Sequence, residues 1–416
     1  MTQLGKEHFG KRQIAITWAL MVCATLVTRM SGDIFIPSIA YMAEDLGVSK
    51  AEATSSLSHY YIWLMFSYVL FGRLSDYMSK KKMLLVGGTA CLVGCVLCAL
   101  APNIIVLIIG RSLQAIATAC VLLTAQVWIG SFSDKNNMLS RLAWFSLITT
   151  LSPVLAPSIG GFITDSLSWR YNFWLIALLC MLAIPTVGFT KIADNTKNTP
   201  VGRLGNLIRQ TLSGYWQVLR HSPIERFSLG VQGLFLAQGT FTAISSFLFV
   251  QEFGVSATLL GVLLIPIVLG LVVGRFPTLY MRKHYGVRPT FIFNAIIVTV
   301  ASSTLITYYF VTGTHVIAEV ITMLTVQSIG FNGLNILSLN NSMLVAENNK
   351  GLVSGFYNFM NQGASLLGIF MAQTLFSIGL SAVDILQCSA CLVLTTILLG
   401  SFLFLKAYPS YKNKLE

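Results

Sequence analysis

Residues Ile14–Met42 read IAITWALMVCATLVTRMSGDIFIPSIAYM. The run is long enough to cross a bilayer, for which about 20 helical residues suffice at ~1.5 Å each. It is too long for the apolar core of a cleavable signal, so it is read as a span. Two charges interrupt it: Arg29 and Asp33, one helical turn apart on one face. A charge near the bilayer centre costs about 2.5–3.5 kcal/mol on insertion scales, so such groups face a cavity, a partner or an ion path. Asp33 is the one carboxylate that falls deep in any expected span. It is therefore the candidate proton-titrating or substrate-pairing group.

The rest of the chain shares that apolar character. Of 416 residues, 55% are hydrophobic and 10% charged, whereas a soluble protein carries about 25% charged residues. Only helices and closed barrels satisfy their backbone inside lipid, and the long unbroken apolar runs here select helices. The expected fold is an all-α membrane protein of twelve transmembrane helices. They are drawn over 14–42, 55–74, 83–101, 103–130, 140–165, 170–190, 227–250, 256–279, 289–311, 316–344, 352–379 and 382–406. Most connections are short. The exception, 191–226, is polar and basic, with an amphipathic stretch near Leu207–Leu219. It divides the chain into an N-terminal six-helix bundle (1–190), a cytoplasmic linker (191–226) and a C-terminal six-helix bundle (227–416).

The net charge of +12 would point to nucleic acid in a soluble protein. Here its distribution excludes that. With both termini cytoplasmic, 23 of the 27 Lys and Arg residues fall on the inside. Lys50 and Arg170 fall outside, and Arg29 and Arg111 lie within spans. This is the positive-inside pattern, with some attraction to anionic membrane lipid. All eight cysteines fall in expected spans. Cys91, Cys95 and Cys98 share a helix face and Cys388 and Cys391 have a metal-like spacing, but both sets read as small packing residues and no metal site is expected. No nucleotide loop or nucleophile–base constellation stands outside the spans, so no enzyme chemistry and no cofactor is expected.

Short motifs sharpen the reading. The loop after span 2 is Gly72-Arg73-Leu74-Ser75-Asp76-Tyr77-Met78-Ser79-Lys80. Its lone acid before three lysines is suited to a gating lock that pairs with a base or a helix N-terminus. Span 4 carries Arg111 and Gln114, and helix rise puts Arg111 at a depth similar to Asp33. A buried Arg needs a partner or a wet cavity, so the two could meet, as a functional pair or as a structural one, if spans 1 and 4 are neighbours. Span 5 carries Pro153, Pro157, Gly160 and Gly161, which bend the helix and leave a smooth surface for a neighbour. Ser168-Trp169-Arg170-Tyr171-Asn172-Phe173 follows.

Six plus six spans and the loop after span 2 resemble the major facilitator superfamily. That loop departs from the superfamily's signature at Tyr77 and Ser79. The Arg111–Gln114 pair resembles the superfamily's intramembrane Arg-x-x-Gln motif. The Pro/Gly run of span 5 resembles the antiporter motif of its drug exporters. Together with Trp169-Arg170 and Phe173, Asp33 to Pro37, Asp45-Leu46-Gly47, and Gln362 to Gly368, it narrows the resemblance to the bicyclomycin/chloramphenicol resistance (Bcr/CflA) group. The resemblance implies proton-coupled export of small molecules by a monomer in the bacterial cytoplasmic (inner) membrane. It places the span 1 acid and the span 4 Arg in coupling or substrate contact, with protons as coupling ion.

Arg29 is not part of that pattern. If Arg29, Arg111 and ionised Asp33 all line the cavity, its charge is positive, which suits an anionic or zwitterionic substrate. The readings are therefore a proton-driven exporter of amphiphilic compounds and a transporter of an anionic metabolite such as a carboxylate siderophore or organic acid. A sensor or scaffold without transport ranks below both. Gln126, Gln238, Asn332, Asn335 and Asn361 are cavity candidates, each with glue between helices as the competing role. Glu319 is read as wetted at an outer helix end, and Tyr60 and Tyr61 as part of an interfacial aromatic belt.

Overall fold

A computed structural model describes residues 11–74, 78–132, 141, 144–145, 148–149, 151–190, 192, 209, 213–216, 224–345 and 350–415. Among them there are helices and no strands. The helices are α1 (Lys11–Asp33), α2 (Ile39–Asp45), α3 (Lys50–Leu74), α4 (Lys80–Ala99), α5 (Ile104–Phe132), α6 (Ser152–Ser166) and α7 (Arg170–Phe189). Then follow α8 (Ile224–Ser246), α9 (Ala257–Val273), α10 (Arg275–Tyr285), α11 (Val287–Thr312), α12 (Ile317–Val345), α13 (Lys350–Ser377) and α14 (Ala382–Leu415). Nine segments of the described residues are long and apolar enough to cross a membrane. The three further helices expected as spans, α3, α6 and α13, fall outside that criterion. For α3 and α13 the reason is polarity: α3 carries Thr54, Ser55, Ser56, Ser58 and His59, and α13 carries Asn358, Asn361 and Gln362. For α6 it is length, 15 described residues.

Two expected spans are broken. The first ends at Asp33, four residues before Pro37, whose missing N–H leaves the Asp33 carbonyl without its helical donor. A 3₁₀ turn, Ile36–Ser38, leads into α2. The eighth breaks at Gly274, between α9 and α10, where any side chain would strike the carbonyl of Ile329. Of the linker's amphipathic stretch, the structure describes Arg209 and residues 213–216, where Tyr215 packs on Phe356 and Phe359 of α13. The remainder lies outside the described residues.

Large apolar side chains such as Ile105, Leu182, Phe310 and Phe402 cover the outside. The interior mixes aliphatic and aromatic side chains with small residues such as Ala115, Ala117 and Ala119, which let helices approach closely. Among the N-terminal helices, α5 packs on α1, α3 and α4, and α7 on α1 and α4. Among the C-terminal helices, α8 packs on α12, α13 and α14, and α11 on α12 and α14. Among the described residues the main junctions between the sets are α3 against α13 and α6 against α9, with smaller contacts from the turn after α1.

These two junctions close one end of the molecule. It is the end of Lys50 and Arg170, hence the outer one by the positive-inside rule. A Cβ on Gly161 would lie 2.1 Å from the carbonyl oxygen of Ala257, and one on Gly160 1.9 Å from that of Ile34. The expected smooth face of span 5 is thus a backbone-to-backbone contact with α9 and with the turn after α1. Asp165, at the end of α6, holds the N-terminus of α9. Its carboxylate accepts from Ala257 N (3.2 Å), Thr258 N (2.7 Å), Thr258 Oγ1 (2.5 Å) and the Tyr41 hydroxyl (3.1 Å). The two amides are orphan donors of the first helical turn, where negative charge is stabilised. Ser246 Oγ donates to Pro37 O (2.9 Å) and accepts from Ala40 N (3.0 Å). Lys50 Nζ lies 5.7 Å from the Phe247 ring centroid and 5.8 Å from that of Phe376. The state is closed on the outer side.

Asp165→Ala should loosen this seal. Hydrogen bonds to a charged group contribute about 1.5–3 kcal/mol, so the population with separated outer ends should rise about tenfold or more. Electron–electron resonance between spin labels on the outer ends of α6 and α9 reads this, and an unchanged distance distribution contradicts it.

Candidate substrate cavity

Because α1 stops at Asp33, its last carbonyls lack helical partners. Arg111 of α5 supplies them. Its Nη1 donates to Ser31 O (2.7 Å) and to Gln114 Oε1 (2.8 Å), and its Nη2 to Gly32 O (3.1 Å). The guanidinium is fully buried, 4.5 Å from the Tyr60 ring centroid and 5.3 Å from that of Phe35. Gln114 in turn donates to Cys95 Sγ (3.1 Å), and Thr118 Oγ1 donates to Thr28 O (2.8 Å). A cation at a helix C-terminus also complements the helix dipole. Arg111 and α1 do meet, as their depths predict. They meet at the backbone: among the described residues no ion pair joins Arg111 to Asp33. The guanidinium fork is occupied by carbonyls one and two residues before the acid.

Asp33 is left half-buried at the edge of a cavity, accepting one hydrogen bond from Ser152 Oγ of α6 (3.2 Å). The cavity leaves about 200 Å³ open to the centres of water-sized molecules. Its N-terminal wall is Asp33, Ile36, Tyr61, Pro153 and Pro157. The larger wall comes from α8, α9, α11, α12 and α14, with Phe241, Leu264, Leu271 and Phe331 among its apolar members. Asp33 is the one acid on the described lining, and the lining has no base. Arg29 is half-buried but not on the lining, and neither is Arg111. The positive cavity expected from the three charges together is therefore not formed by the described residues.

Of the expected cavity candidates, Gln238 lines the cavity. The others do not. Gln126 is exposed away from it on α5. Asn332 donates to Leu271 O, Asn335 Oδ1 accepts from the Tyr357 hydroxyl (2.8 Å), and Asn361 Oδ1 accepts from Gln232 Nε2 (2.9 Å). These three join helices within the C-terminal set. Pro153 and Pro157 line the cavity, whereas Gly160 and Gly161 lie in the outer seal. Tyr61, expected at the interface, lines the cavity with Asp33. Glu319, expected in water, is half-buried and pairs with His315 (2.7 Å). Sequence reading missed Thr242, Ser245, Gln327, Ser328 and Ser389 on the lining. The small hydroxyls of Thr242, Ser245, Ser328 and Ser389 resemble ordinary helix-packing residues, and the Gln327 amide resembles polar glue between helices, so no signal marks them. In the loop after span 2, Lys80 is buried and donates to Met78 O (3.4 Å). Asp76 and the side chain of Arg73 lie outside the described residues, and of Gly72 only its place in α3 is described. Among the described residues no cluster of His, Cys, Asp and Glu is arranged to hold a metal.

The model of the Major Facilitator Superfamily matches residues 21–369. The chain belongs to this superfamily. Its fold and family are those of membrane transporters. Among similar proteins is a chloramphenicol resistance protein of Acinetobacter baumannii, 27% identical over 59% of this chain and 58% of that protein. Another is multidrug resistance protein D of Escherichia coli K12, 24% identical over 61% of this chain and 63% of that protein. These matches thus span less than two thirds of either relative. A bacterial Spinster homologue solved in an inward-facing, unoccupied conformation superposes with a TM-score of 0.75 at 12% identity, covering 98% of this chain and 99% of that one. A peptide transporter of the POT type gives 0.75 at 12% identity, over 100% and 98%. Both solved structures bear on the fold alone.

Arg111→Lys keeps the charge but loses the fork that serves two carbonyls and Gln114. The variant should be about 2–4 kcal/mol less stable, the cost of leaving buried polar groups unpaired. Thermal unfolding in detergent measures this, with Arg29→Lys as a reference expected to change far less. Equal effects contradict the assignment.

Proposed function

We propose that this transporter exports small drug-like or amphiphilic compounds in exchange for protons, by alternating access around the cavity at Asp33. The observation that carries the reading is a lone carboxylate on the edge of an otherwise uncharged, largely apolar cavity. Such a group is expensive to keep charged in that setting, so a proton or a bound substrate is what stabilises it. Exchange follows when binding one disfavours the other. The outer seal of α6 on α9 and α3 on α13 is the element that opens to complete the cycle. The names of the relatives support a drug substrate. The chain is expected to act as a monomer in the bacterial inner membrane, with protons as the coupling ion.

A carrier of anionic metabolites is the alternative. Its main support was Arg29, which the cavity lining does not include.

The test uses purified protein in liposomes with a pH-sensitive dye inside and an imposed pH gradient. Tetraphenylphosphonium, chloramphenicol and citrate are added in turn to wild type and Asp33→Asn. Proton movement with the first two, lost in the variant, is the expected result. Movement with citrate alone, or normal gradient-driven transport by Asp33→Asn, overturns the reading.

A further inference from the structure

Resting on the export reading above, we infer that Gln238 of α8 is the residue that selects substrates by hydrogen bonding, and that the class selected is a neutral amphiphile carrying amide or hydroxyl groups. The inference comes from asking which polar groups on the lining are free to bind a ligand.

Most of them are already used. Thr242 Oγ1 donates to Gln238 O (2.8 Å), Ser245 Oγ to Thr242 O (3.3 Å) and Ser328 Oγ to Thr325 O (2.7 Å). Each bond returns to the side chain's own helix, so the hydroxyl proton is spent. Gln327 is buried and its amide nitrogen lies 3.5 Å from Ser302 Oγ. Ser389 is buried, with 5% of its surface exposed. Asp33 shares Oδ2 with Ser152. Gln238 differs on both counts: its side chain is exposed into the cavity and makes no hydrogen bond within the described residues. It presents two N–H donors and one carbonyl acceptor. On the N-terminal wall Tyr61 adds a hydroxyl.

The arrangement divides the work. Asp33 on the N-terminal wall is the group that exchanges charge. Gln238 on the C-terminal wall offers the neutral donor–acceptor pair, one helical turn from the Phe241 ring. An apolar wall alone discriminates poorly between compounds of similar size, because each methylene changes binding only modestly. An amide that the bound ligand covers does better. A ligand that hydrogen-bonds it replaces water one for one, whereas a ligand that cannot do so leaves the amide stripped of solvent. A bulky cation without hydrogen-bonding groups gains nothing from Gln238 and is held by the apolar wall and Asp33.

Two probes separate these classes: chloramphenicol, neutral with an amide and hydroxyls, and tetraphenylphosphonium, a cation with neither. Calorimetric binding to the full-length protein and liposome transport are measured for wild type, Gln238→Met and Gln238→Asn. Met keeps the length and apolar volume and removes the amide. The expected result is a chloramphenicol Kd weakened about tenfold by Gln238→Met, with tetraphenylphosphonium binding unchanged or tightened, because the variant leaves no amide stripped of solvent. Gln238→Asn should recover part of the loss, which a merely structural role would not give. Equal weakening of both probes, or of neither, overturns the inference while leaving proton-coupled export standing. If wild type binds neither probe and moves no protons, the export reading itself fails and this inference falls with it.

Discussion

Arg111 and the carbonyls of Ser31 and Gly32 are the contact on which the site depends. A helix that ends inside a membrane exposes unpaired carbonyls to a medium without water, at a cost of several kcal/mol each. Pro37 stands just beyond that break and withholds the N–H that Asp33 O would accept. Arg111 is the compensation, and its rigid fork serves two carbonyls and the Gln114 amide at once. The consequence lies on the other side of the break. With the guanidinium occupied by backbone, the Asp33 carboxylate is left at the cavity edge, where its one hydrogen bond among the described residues comes from Ser152. The same Arg thus ends α1 and leaves the acid facing the cavity.

The closed outer end follows from a second constraint. Two helices approach backbone to backbone only where side chains are absent, and Gly160 and Gly161 meet that requirement against Ile34 and Ala257. Such a contact gains mainly dispersion and shape, which are lost together when the helices part. Asp165 adds a directional element, since its carboxylate fits the N-terminus of α9 in one geometry. A seal of this kind is either closed or broken, which suits a two-state cycle.

Much of this was legible in the sequence. The all-α membrane class followed from composition, and the family from motifs that the superfamily match confirms. Helix rise put Arg111 and Asp33 at similar depth, and the superfamily resemblance made spans 1 and 4 neighbours. The partner of Arg111 did not follow, because depth locates a residue along a helix and not around it. The same limit explains the asparagines: hydropathy cannot tell Asn332, which bonds Leu271 O, from Gln238, which faces the cavity. Arg29 is the clearest case. It shares a face with Asp33 by periodicity, yet only the acid reaches the lining, because α1 ends there and the chain turns. The outer latch at Asp165 gave no signal, since its partners are backbone amides of a helix more than ninety residues later.

The central claim is that proton and substrate compete at Asp33. It is tested most directly by proton release on binding, with purified protein in weakly buffered detergent and a pH indicator. Saturation with tetraphenylphosphonium at a pH where the empty site is protonated should release close to one proton per wild-type chain, and none from Asp33→Asn. Binding without proton release in wild type, or equal release from both proteins, would contradict the account.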